Sequence, residues 1–282
     1  MTDHAALHAR QLAEWNGESG RRWATEQVRT DRAMAAIAAV LLERAAPRPG
    51  EAVIDVGCGG GITTALIADA VGSAGRVLAL DVSAPLLEGA RRRLAGRPNV
   101  AFLLGDAAAL PLEGTGADLL ASRFGVMFFG DPVAGFANLR RGLRPGGRTV
   151  FACWRRPSEN PWMTLPLHAA YRHVPRLPEQ APTDPGPFAF ADPDHVRAVL
   201  VGAGFVDASL EPVDLAMDLG ADLDEALAFL LEIGPTSRAL EGHSEANRHA
   251  VAASIREVLA PYVSAAGVRV PAAIWIVRAT AP

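Results

Sequence analysis

Cysteine is scarce in this chain of 282 residues, which has only Cys58 and Cys153. Neither has a partner at the spacing of a metal site or a redox motif, so the sequence predicts two reduced thiols rather than a disulfide framework. No apolar stretch reaches the ~20 residues that a membrane-spanning helix needs, and the polar N-terminus lacks the apolar region of a secretory signal. We therefore expect a cytoplasmic protein without a membrane span.

Basic charge is also in short supply, because 27 Lys and Arg residues face 31 Asp and Glu residues and the net charge is −4. The arginine runs at 91–93 and 140–141 lie within helical patterns, where they are typical of solvated helix faces. This balance argues against nucleic acid as a partner. Half of the residues are hydrophobic and 21% are charged, which is typical of a folded globular protein of one domain with insertions.

A glycine-rich turn after an apolar strand is the most informative segment, reading VIDVGCGGG over residues 53–61. A strand that feeds such a turn and then a helix brings backbone amides against a nucleotide. Asp55 places a carboxylate at the joint, where it would repel a pyrophosphate and attract a cationic ligand. The third glycine of the dinucleotide pattern G-x-G-x-x-G would fall at Ile62. The turn therefore favours a positively charged nucleoside over NAD.

Strands and helices alternate from residue 52 onward, a pattern that predicts a parallel sheet covered on both faces. Residues 4–46 have helical spacing, and Pro47 and Pro49 end that pattern. The proline-rich stretch 155–191 is too long for a simple connection and is predicted to cover a site. The predicted strands are 52–56, 76–81, 99–104, 117–122, 148–153, one that runs to about 219, and 268–279. The predicted helices are 62–72, 83–96, 132–143, 193–203 and helical segments within 222–261.

Five motifs in this order resemble those of the class I S-adenosylmethionine-dependent methyltransferases, within the small-molecule group similar to the quinone-biosynthesis C-methyltransferases. They are VIDVGCGGG at 53–61, LALDVS at 78–83, GDA at 105–107, SRFG at 122–125 and LRPGG at 143–147. The resemblance implies an α/β, Rossmann-like fold with a seven-stranded, mostly parallel sheet and helices on both faces. It implies S-adenosyl-L-methionine as cofactor, S-adenosyl-L-homocysteine as product and no metal.

The same resemblance divides the chain into a lid, a core and insertions. Residues 1–49 would form an N-terminal helical lid segment, and residues 50–154 the cofactor-binding core. Residues 192–220 and 267–282 would complete the core sheet. The segments 155–191 and 221–266 would be insertions that cover the substrate.

Three aspartates follow three successive strands and suit the three parts of this cofactor. Asp55 would neutralise the α-ammonium group, directly or through water, and Asp81 would accept both ribose hydroxyls. Asp106 would accept from the adenine amine while the Ala107 amide donates to the ring. The alternatives are a structural turn aspartate for Asp55, a helix N-cap for Asp81 and an Asx-turn for Asp106.

The other residues assigned to the cofactor lie in the same motifs and in the lid. Thr63 and Thr64 would either cap the following helix or bind the methionine carboxylate. The remaining assignments are Trp15, Gly57, Cys58, Gly59, Gly61, Val82, Ser83, Ser122, Arg123 and Phe124.

Aromatic side chains after the fourth strand predict an apolar wall for the methyl acceptor. The residues assigned to it are Phe128, Trp154, Asn160, Trp162 and Phe188. A hydrophobic core beneath a long loop is the alternative explanation, and the two are compatible. Such a wall favours a flat or lipophilic small molecule, bound by a monomer or a homodimer.

Methyl transfer asks little of side chains, because the sulfonium is already an excellent leaving group. A general base is needed only if the nucleophile arrives protonated. His168 and Tyr171, three residues apart on a predicted helix, are the candidates, although such residues are more often packing or surface residues. A cyclase or isomerase that uses the sulfonium charge, a non-catalytic binding module and an NAD-dependent dehydrogenase are the alternatives, and Asp55 and Ile62 disfavour the last.

Overall fold

Four helices open the chain in the computed structural model, which describes residues 4–282. They are α1 His4–Asn16, α2 Glu18–Thr25, α3 Gln27–Ala33 and α4 Ala35–Ala45. In α4, Ile37, Leu41 and Ala45 recur every four residues and are buried on one face, as expected for a helix that packs on a sheet. The helix ends at Ala46, whose φ of 43° is left-handed.

Eight strands form one sheet in the order β3-β2-β1-β4-β5-β8-β6, with β7 paired to β8. Strands β1 to β5 run parallel, whereas β8 is antiparallel to both β5 and β6. The strands are β1 Ala52–Val56, β2 Arg76–Asp81, β3 Val100–Leu104, β4 Ala117–Arg123, β5 Leu143–Trp154, β6 Val206–Gly220, β7 Val263–Ser264 and β8 Gly267–Thr280. The Rossmann-like, mostly parallel sheet is confirmed. The predicted number of seven strands is corrected to eight, because the two-residue β7 folds back on β8.

Eight further helices follow within the described residues, and several of them begin with a side-chain cap or a proline at the first position. Asp131 caps α7 by accepting from the N–H of Ala134 at 3.0 Å, and Pro132 occupies the first helical position. The helices are α5 Ile62–Val71, α6 Ala84–Arg93, α7 Pro132–Arg141, α8 Pro161–Ala170, α9 Pro193–Gly202, α10 Leu223–Leu230, α11 Pro235–Ala239 and α12 Glu245–Leu259. Within 155–191 only α8 is a regular helix, and it packs against α11 and α12.

The strand order reverses between β1 and β4, because the chain leaves β1 toward β2 on one side and returns to β4 on the other. In an open parallel sheet this reversal opens a crevice at the carboxyl ends of the strands, where ligands bind. The residues of β1 are buried along its whole length, which makes it the rigid centre of the crevice. Within residues 4–282, we find no helix both long and apolar enough to cross a bilayer.

Candidate functional site

The candidate site is a cavity at the carboxyl ends of the central strands, closed on the opposite side by α1, α3 and the start of α11. It gathers residues from five loops and from the N-terminal helices. Of the residues predicted to bind a cofactor, those that line it are Trp15, Gly57, Cys58, Gly59, Asp81, Val82, Asp106, Ala107, Arg123 and Phe124. The others, which are buried but do not line it, are Asp55, Gly61, Thr63, Thr64, Ser83 and Ser122.

The glycine turn allows the loops after β1 and β4 to touch through their backbones. Gly57 has a φ of 67°, and a Cβ atom there would lie 2.5 Å from the Cα of Gly125. A Cβ on Gly125 would in turn lie 2.6 Å from the carbonyl oxygen of Val56. Since no side chain fits at either position, the floor of the cavity brings main-chain groups close to any ligand.

Asp55 is fully buried at the end of β1. Its Oδ2 accepts a hydrogen bond from the Thr64 hydroxyl at 2.6 Å, and its Oδ1 has no partner among residues 4–282. Burial raises the pKa of Asp55 to about 6, against the opposing effects of the Thr64 hydrogen bond and the Arg123 charge. An unpartnered carboxylate oxygen behind the glycine turn suits an ammonium group or a bridging water.

Asp81 ends β2 and holds the glycine turn in place. Its Oδ2 accepts from the N–H of Gly59 and its Oδ1 from the N–H of Ser83, both at 2.7 Å. Burial raises the pKa of Asp81, although its hydrogen bonds to backbone N–H groups oppose the rise. Each carboxylate oxygen has a second acceptor position, so Asp81 can still bind two hydroxyl groups in the cavity.

Asp106 follows β3 and faces both the loop and the lid. Its Oδ1 accepts from the N–H of Ala108 at 2.9 Å, which is the Asx-turn that the sequence left open. Its Oδ2 lies 3.6 Å from the Nδ1 of His8 on α1. Because a carboxylate accepts more than two hydrogen bonds, the turn leaves room for an amine donor beside Ala107.

The residues that end β4 have three different environments. Ser122 is structural, because its hydroxyl donates to the carbonyl of Val56 at 2.7 Å and accepts from the N–H of Gly125 at 3.1 Å. Phe124 has a left-handed φ of 71°, and its ring stacks on Trp154 with centroids 4.2 Å apart. The backbone strain costs roughly 1–2 kcal/mol, and the stack offsets part of it with about 0.5–1.5 kcal/mol.

Arg123 brings a guanidinium into the cavity without a nearby partner. No carboxylate of the described residues lies within 4.0 Å of its nitrogens, and its Nη1 has no hydrogen bond. Burial lowers the pKa of Arg123, whereas the charges of Asp31 and Asp55 raise it. The guanidinium is therefore a buried donor without an ion pair, next to the glycine turn.

The two threonines at the start of α5 point away from the cavity. Thr64 donates its hydroxyl to Asp55, and Thr63 is only 2% exposed. No side chain caps α5, whose N-cap is Gly61. This contradicts the capping role that was one of the two predicted for them, and neither threonine lines the cavity.

The N-terminal helices are fastened to the loop after β2. The Nδ2 of Asn16 donates to the carbonyl of Val82 at 2.9 Å, and its Oδ1 accepts from the N–H of Ala84 at 3.0 Å. The hydroxyl of Ser83 donates to the carbonyl of Trp15 at 2.7 Å. We call these three hydrogen bonds the lid clasp. They bring α1 against the loop that carries Asp81.

Three of the five residues predicted to form the acceptor wall line the cavity: Phe128, Trp154 and Trp162. Trp15 on the lid packs edge-on against Phe128, with ring centroids 5.2 Å apart. The wall is extended by three methionines that the sequence analysis did not include, Met34, Met127 and Met163.

Asn160 and Phe188 do not line the cavity. Asn160 is fully buried, and its amide exchanges two hydrogen bonds with the backbone of Ala273, at 3.1 and 3.0 Å, which ties the start of α8 to β8. Phe188 is half-buried and packs against the main core. Both residues therefore support the wall from behind.

The candidate bases lie away from the cavity as well. His168 is exposed and Tyr171 is half-buried, their ring centroids are 6.5 Å apart, and neither lines the cavity. Tyr171 is covered instead by the guanidinium of Arg176 at 5.3 Å. The i, i+3 spacing on α8 turns these rings away from the face that carries Trp162. The geometry gives them no part in the chemistry of the cavity.

Several polar residues of the N-terminal helices line the cavity but were not predicted from the sequence. His8 and Gln11 on α1 and Gln27, Thr30 and Asp31 on α3 all line the cavity. Gln27, Thr30 and Met34 are spaced i, i+3 and i+7, so they share one helix face. Polar residues on the inward face of an N-terminal helix are the signal that could have revealed them.

Known proteins share both the motifs and the fold. A methyltransferase domain family matches residues 53–147. A demethylmenaquinone methyltransferase from Renibacterium salmoninarum is 30% identical over 169 residues, which are 57% of this chain and 69% of that protein. The chain belongs to the class I S-adenosylmethionine-dependent methyltransferases. Membership of the quinone-biosynthesis-like group, predicted from the five motifs, is confirmed.

Other relatives show how much of the chain this methyltransferase shares with known proteins. A 37.1 kDa protein of transposon TN4556 from Streptomyces fradiae is 39% identical over 125 residues, 44% of this chain and 36% of that protein. The chain thus spans only about a third of the length of that relative. Phosphoethanolamine N-methyltransferase 2 of Haemonchus contortus, solved with S-adenosyl-L-methionine, is 18% identical, with a TM-score of 0.54 over 88% of this chain and 52% of that one. This last likeness shows the fold alone.

Proposed function

We propose that the chain transfers a methyl group from S-adenosyl-L-methionine to a carbon or oxygen atom of a small, apolar or aromatic acceptor. The observation that carries the proposal is one cavity lined by two chemically different sets of residues. They are acidic residues that follow β2 and β3, and the aromatic residues Phe128, Trp154 and Trp162. We call these sets the first and the second half of the site. A polar nucleoside and a flat apolar molecule would each find matching walls there.

The residues of the first half fit the proposed cofactor. Asp81 keeps acceptor positions for the ribose hydroxyls, and Asp106 and Ala107 sit where an adenine ring would end. Because Asp55 is fully buried and does not line the cavity, its unpartnered Oδ1 would act on the ammonium group through a bridging water. The carboxylates of Asp55, Asp81 and Asp106 each accept at least one protein hydrogen bond, so little reorganisation is needed on binding.

The second half supports catalysis by alignment. When bound, S-adenosylmethionine supplies an electrophilic methyl group on a sulfonium that leaves as a neutral thioether. Trp15 packs edge-on against Phe128, and Trp154 and Trp162 pack with their rings 52° apart. We expect these four rings to exclude water and to orient a flat acceptor. Holding the nucleophile in line with the breaking bond can lower the barrier by up to about 7–11 kcal/mol. The proposal therefore assigns no general base to the chain.

The direct test is transfer of label from [methyl-³H]S-adenosylmethionine to a panel of phenols, quinols and polar amines. We expect label to enter flat apolar acceptors and not the polar ones. Asp81→Asn keeps an acceptor for the N–H of Gly59 but loses the charge toward ribose, so we expect it to bind S-adenosylhomocysteine about 10- to 100-fold more weakly. Asp69→Asn changes an exposed carboxylate and is the matched control.

The alternatives predict different results in the same assay. Tight binding of S-adenosylhomocysteine without label transfer to any acceptor would favour a cyclase, an isomerase or a binding module. Transfer only to polar amines would contradict the acceptor class. An unchanged affinity in Asp81→Asn would contradict the assigned ribose site.

A further inference from the structure

Five side chains that line the cavity have a buried polar atom without a hydrogen-bond partner among residues 4–282. They are Gln11, Gln27, Thr30, Arg123 and Trp162. The first four lie on α1, on α3 and at the end of β4. Trp162 differs from them, because it lies on α8 and belongs to the aromatic second half of the site. A partner for its indole N–H therefore has to be sought on the methyl acceptor.

Trp162 is the last of three rings that lead away from the glycine turn. Phe124 precedes Gly125, whose backbone lies against Gly57 of the turn. The ring of Phe124 stacks on Trp154 at the end of β5, with centroids 4.2 Å apart. Trp154 in turn contacts Trp162, with centroids 5.1 Å apart. A flat molecule that lies along these rings would have one end near the glycine turn and the other near α8.

The indole N–H of Trp162 is a neutral hydrogen-bond donor that cannot accept. The residue is only 3% exposed, and leaving a buried donor unpaired costs free energy. The residues of β5 and α8 that line the cavity are Trp154, Trp162 and Met163, none of which is charged. This wall therefore suits an uncharged oxygen better than a carboxylate, whose charge would stay unbalanced there.

Flexible side chains surround the same space. Met34, Met127 and Met163 all line the cavity. Methionine has three rotatable bonds and adapts to the shape of its neighbours. We expect these side chains to give way when the ring of Trp162 turns its N–H toward a bound molecule.

We propose that Trp162 determines acceptor specificity by donating a hydrogen bond to an uncharged oxygen on the methyl acceptor. The inference rests on the proposed function and deepens it, because it narrows the acceptor to flat molecules that carry a carbonyl or ether oxygen. The hydrogen bond would fix the position of the acceptor along the three rings. Trp162 is thus a positioning residue for the acceptor.

Two probes of nearly the same shape test the hydrogen bond. 1-Tetralone carries a carbonyl oxygen, whereas tetralin has the same two rings without it. Each is offered to protein saturated with S-adenosylhomocysteine, and its binding is measured by equilibrium dialysis. We expect the ratio of the two affinities, tetralone over tetralin, to fall about 5- to 10-fold in Trp162→Phe. Loss of ring area weakens both probes alike, whereas loss of the N–H weakens only the ketone.

The matched control is Trp275→Phe. The Nε1 of Trp275 donates to the carbonyl of Ala191 at 3.1 Å, and this residue does not line the cavity. The same substitution there should keep the wild-type ratio of affinities.

A second variant carries β-(3-benzothienyl)alanine in place of Trp162, which keeps the bicyclic shape and replaces the N–H by sulfur. We expect it to lower the ratio as Trp162→Phe does, and to bind tetralin as wild type does. It decides the question if Trp162→Phe does not fold.

The role of Trp162 and the proposed function fail in different ways. If wild type binds S-adenosylhomocysteine and both probes, but the folded variants at position 162 keep the wild-type ratio, the role of Trp162 alone is overturned. An equal fall of the ratio in Trp275→Phe would overturn it as well. If wild type does not bind S-adenosylhomocysteine, or binds it but neither probe, the proposed function falls and the role of Trp162 with it.

Discussion

At the scale of single residues, the buried carboxylates of the cavity determine how the site responds to pH. Asp55 and Asp81 are both removed from water, and their negative charges repel each other. Thr64 and the backbone N–H groups around Asp81 compensate only in part. The ionised state that would attract an ammonium group is therefore costly in the unliganded protein.

Asp55→Asn should remove a pH-dependent loss of folding stability. The folded pKa of about 6 exceeds the ordinary value of 3.8, so folded Asp55 keeps a proton that the unfolded chain releases between these values. Its contribution therefore lowers the free energy of unfolding as pH rises through this window, and the full cost is present above pH 6. We expect the variant to gain up to about 3 kcal/mol on wild type between pH 4 and pH 7, measured by urea unfolding. A stability difference that is the same at both pH values would contradict this.

The cavity residues that could be predicted from the sequence are those at the end of a predicted strand. Asp81, Asp106 and Arg123 each lie at or just after the carboxyl end of a parallel strand, and such ends meet at one edge of the sheet. Gln27 and Thr30 could not be found in this way, because α3 reaches the cavity only by tertiary packing. The prediction that His168 lies at the site was wrong, because the spacing of residues along a helix does not say which face of the helix turns inward.

At the scale of elements, the docking of α2 on α1 depends on one glycine. A Cβ on Gly20 would lie 1.8 Å from the carbonyl oxygen of Trp15 and 3.0 Å from the hydroxyl of Ser83. The carbonyl of Trp15 accepts a hydrogen bond of the lid clasp. A side chain at position 20 would therefore disturb both the contact between the two helices and the lid clasp.

Gly20→Ala should open the lid and leave the core folded. We expect faster proteolysis between residues 15 and 34 and weaker binding of S-adenosylhomocysteine, with little change in the melting temperature, because the sheet is not touched. Gly186→Ala is the control, since a Cβ there meets nothing nearer than 3.6 Å. Equal proteolysis rates in the two variants would contradict a role of the clasp in closing the cavity.

The boundaries of elements were predictable where local signals were strong. The predicted limits of β1 and β2 agree with the structure, and both strands are bounded by turn residues. The strand β5 begins at Leu143, five residues before its predicted start at 148, because Leu143 already pairs with Ala117 of β4. The pairing is then interrupted at the proline and glycines and resumes at Arg148. The helical region 222–261 is divided into three helices, and the left-handed Gly234 and Gly242 lie at the breaks.

At the scale of the whole molecule, binding at the crevice should stabilise the entire fold. The cavity is lined by residues of the N-terminal helices, of the loops after β1 to β4 and of α8, so a ligand that filled it would contact all three. A ligand that binds only the folded state stabilises it by about 2.7 kcal/mol at 100 times its Kd. The melting temperature should therefore distinguish a ligand that binds the cavity from one that does not.

S-adenosylhomocysteine at that concentration should raise the melting temperature by about 5–10 °C for a chain of this size. NADH should have no effect, because Asp55 and Asp81 lie where a pyrophosphate would be repelled. Differential scanning fluorimetry with both ligands is the measurement. A rise with NADH and none with S-adenosylhomocysteine would reverse the assignment of the glycine turn.

The overall architecture could be predicted from the order of motifs in the sequence, whereas the short strand at the edge of the sheet could not. Alternating strands and helices predict a parallel sheet, and the structure has that sheet with its reversal between β1 and β4. The strand β7 escaped prediction because its two residues are too short to show periodicity. Its pairing with β8 comes from the tight turn between them.

The lid clasp has a consequence for the timing of turnover. Since the clasp fastens α1 to the loop after β2, we expect the methyl donor to enter and the spent nucleoside to leave only while these hydrogen bonds are broken. We expect the first turnover to be faster than the following ones in a rapid-mixing experiment, because reopening, not methyl transfer, limits the cycle.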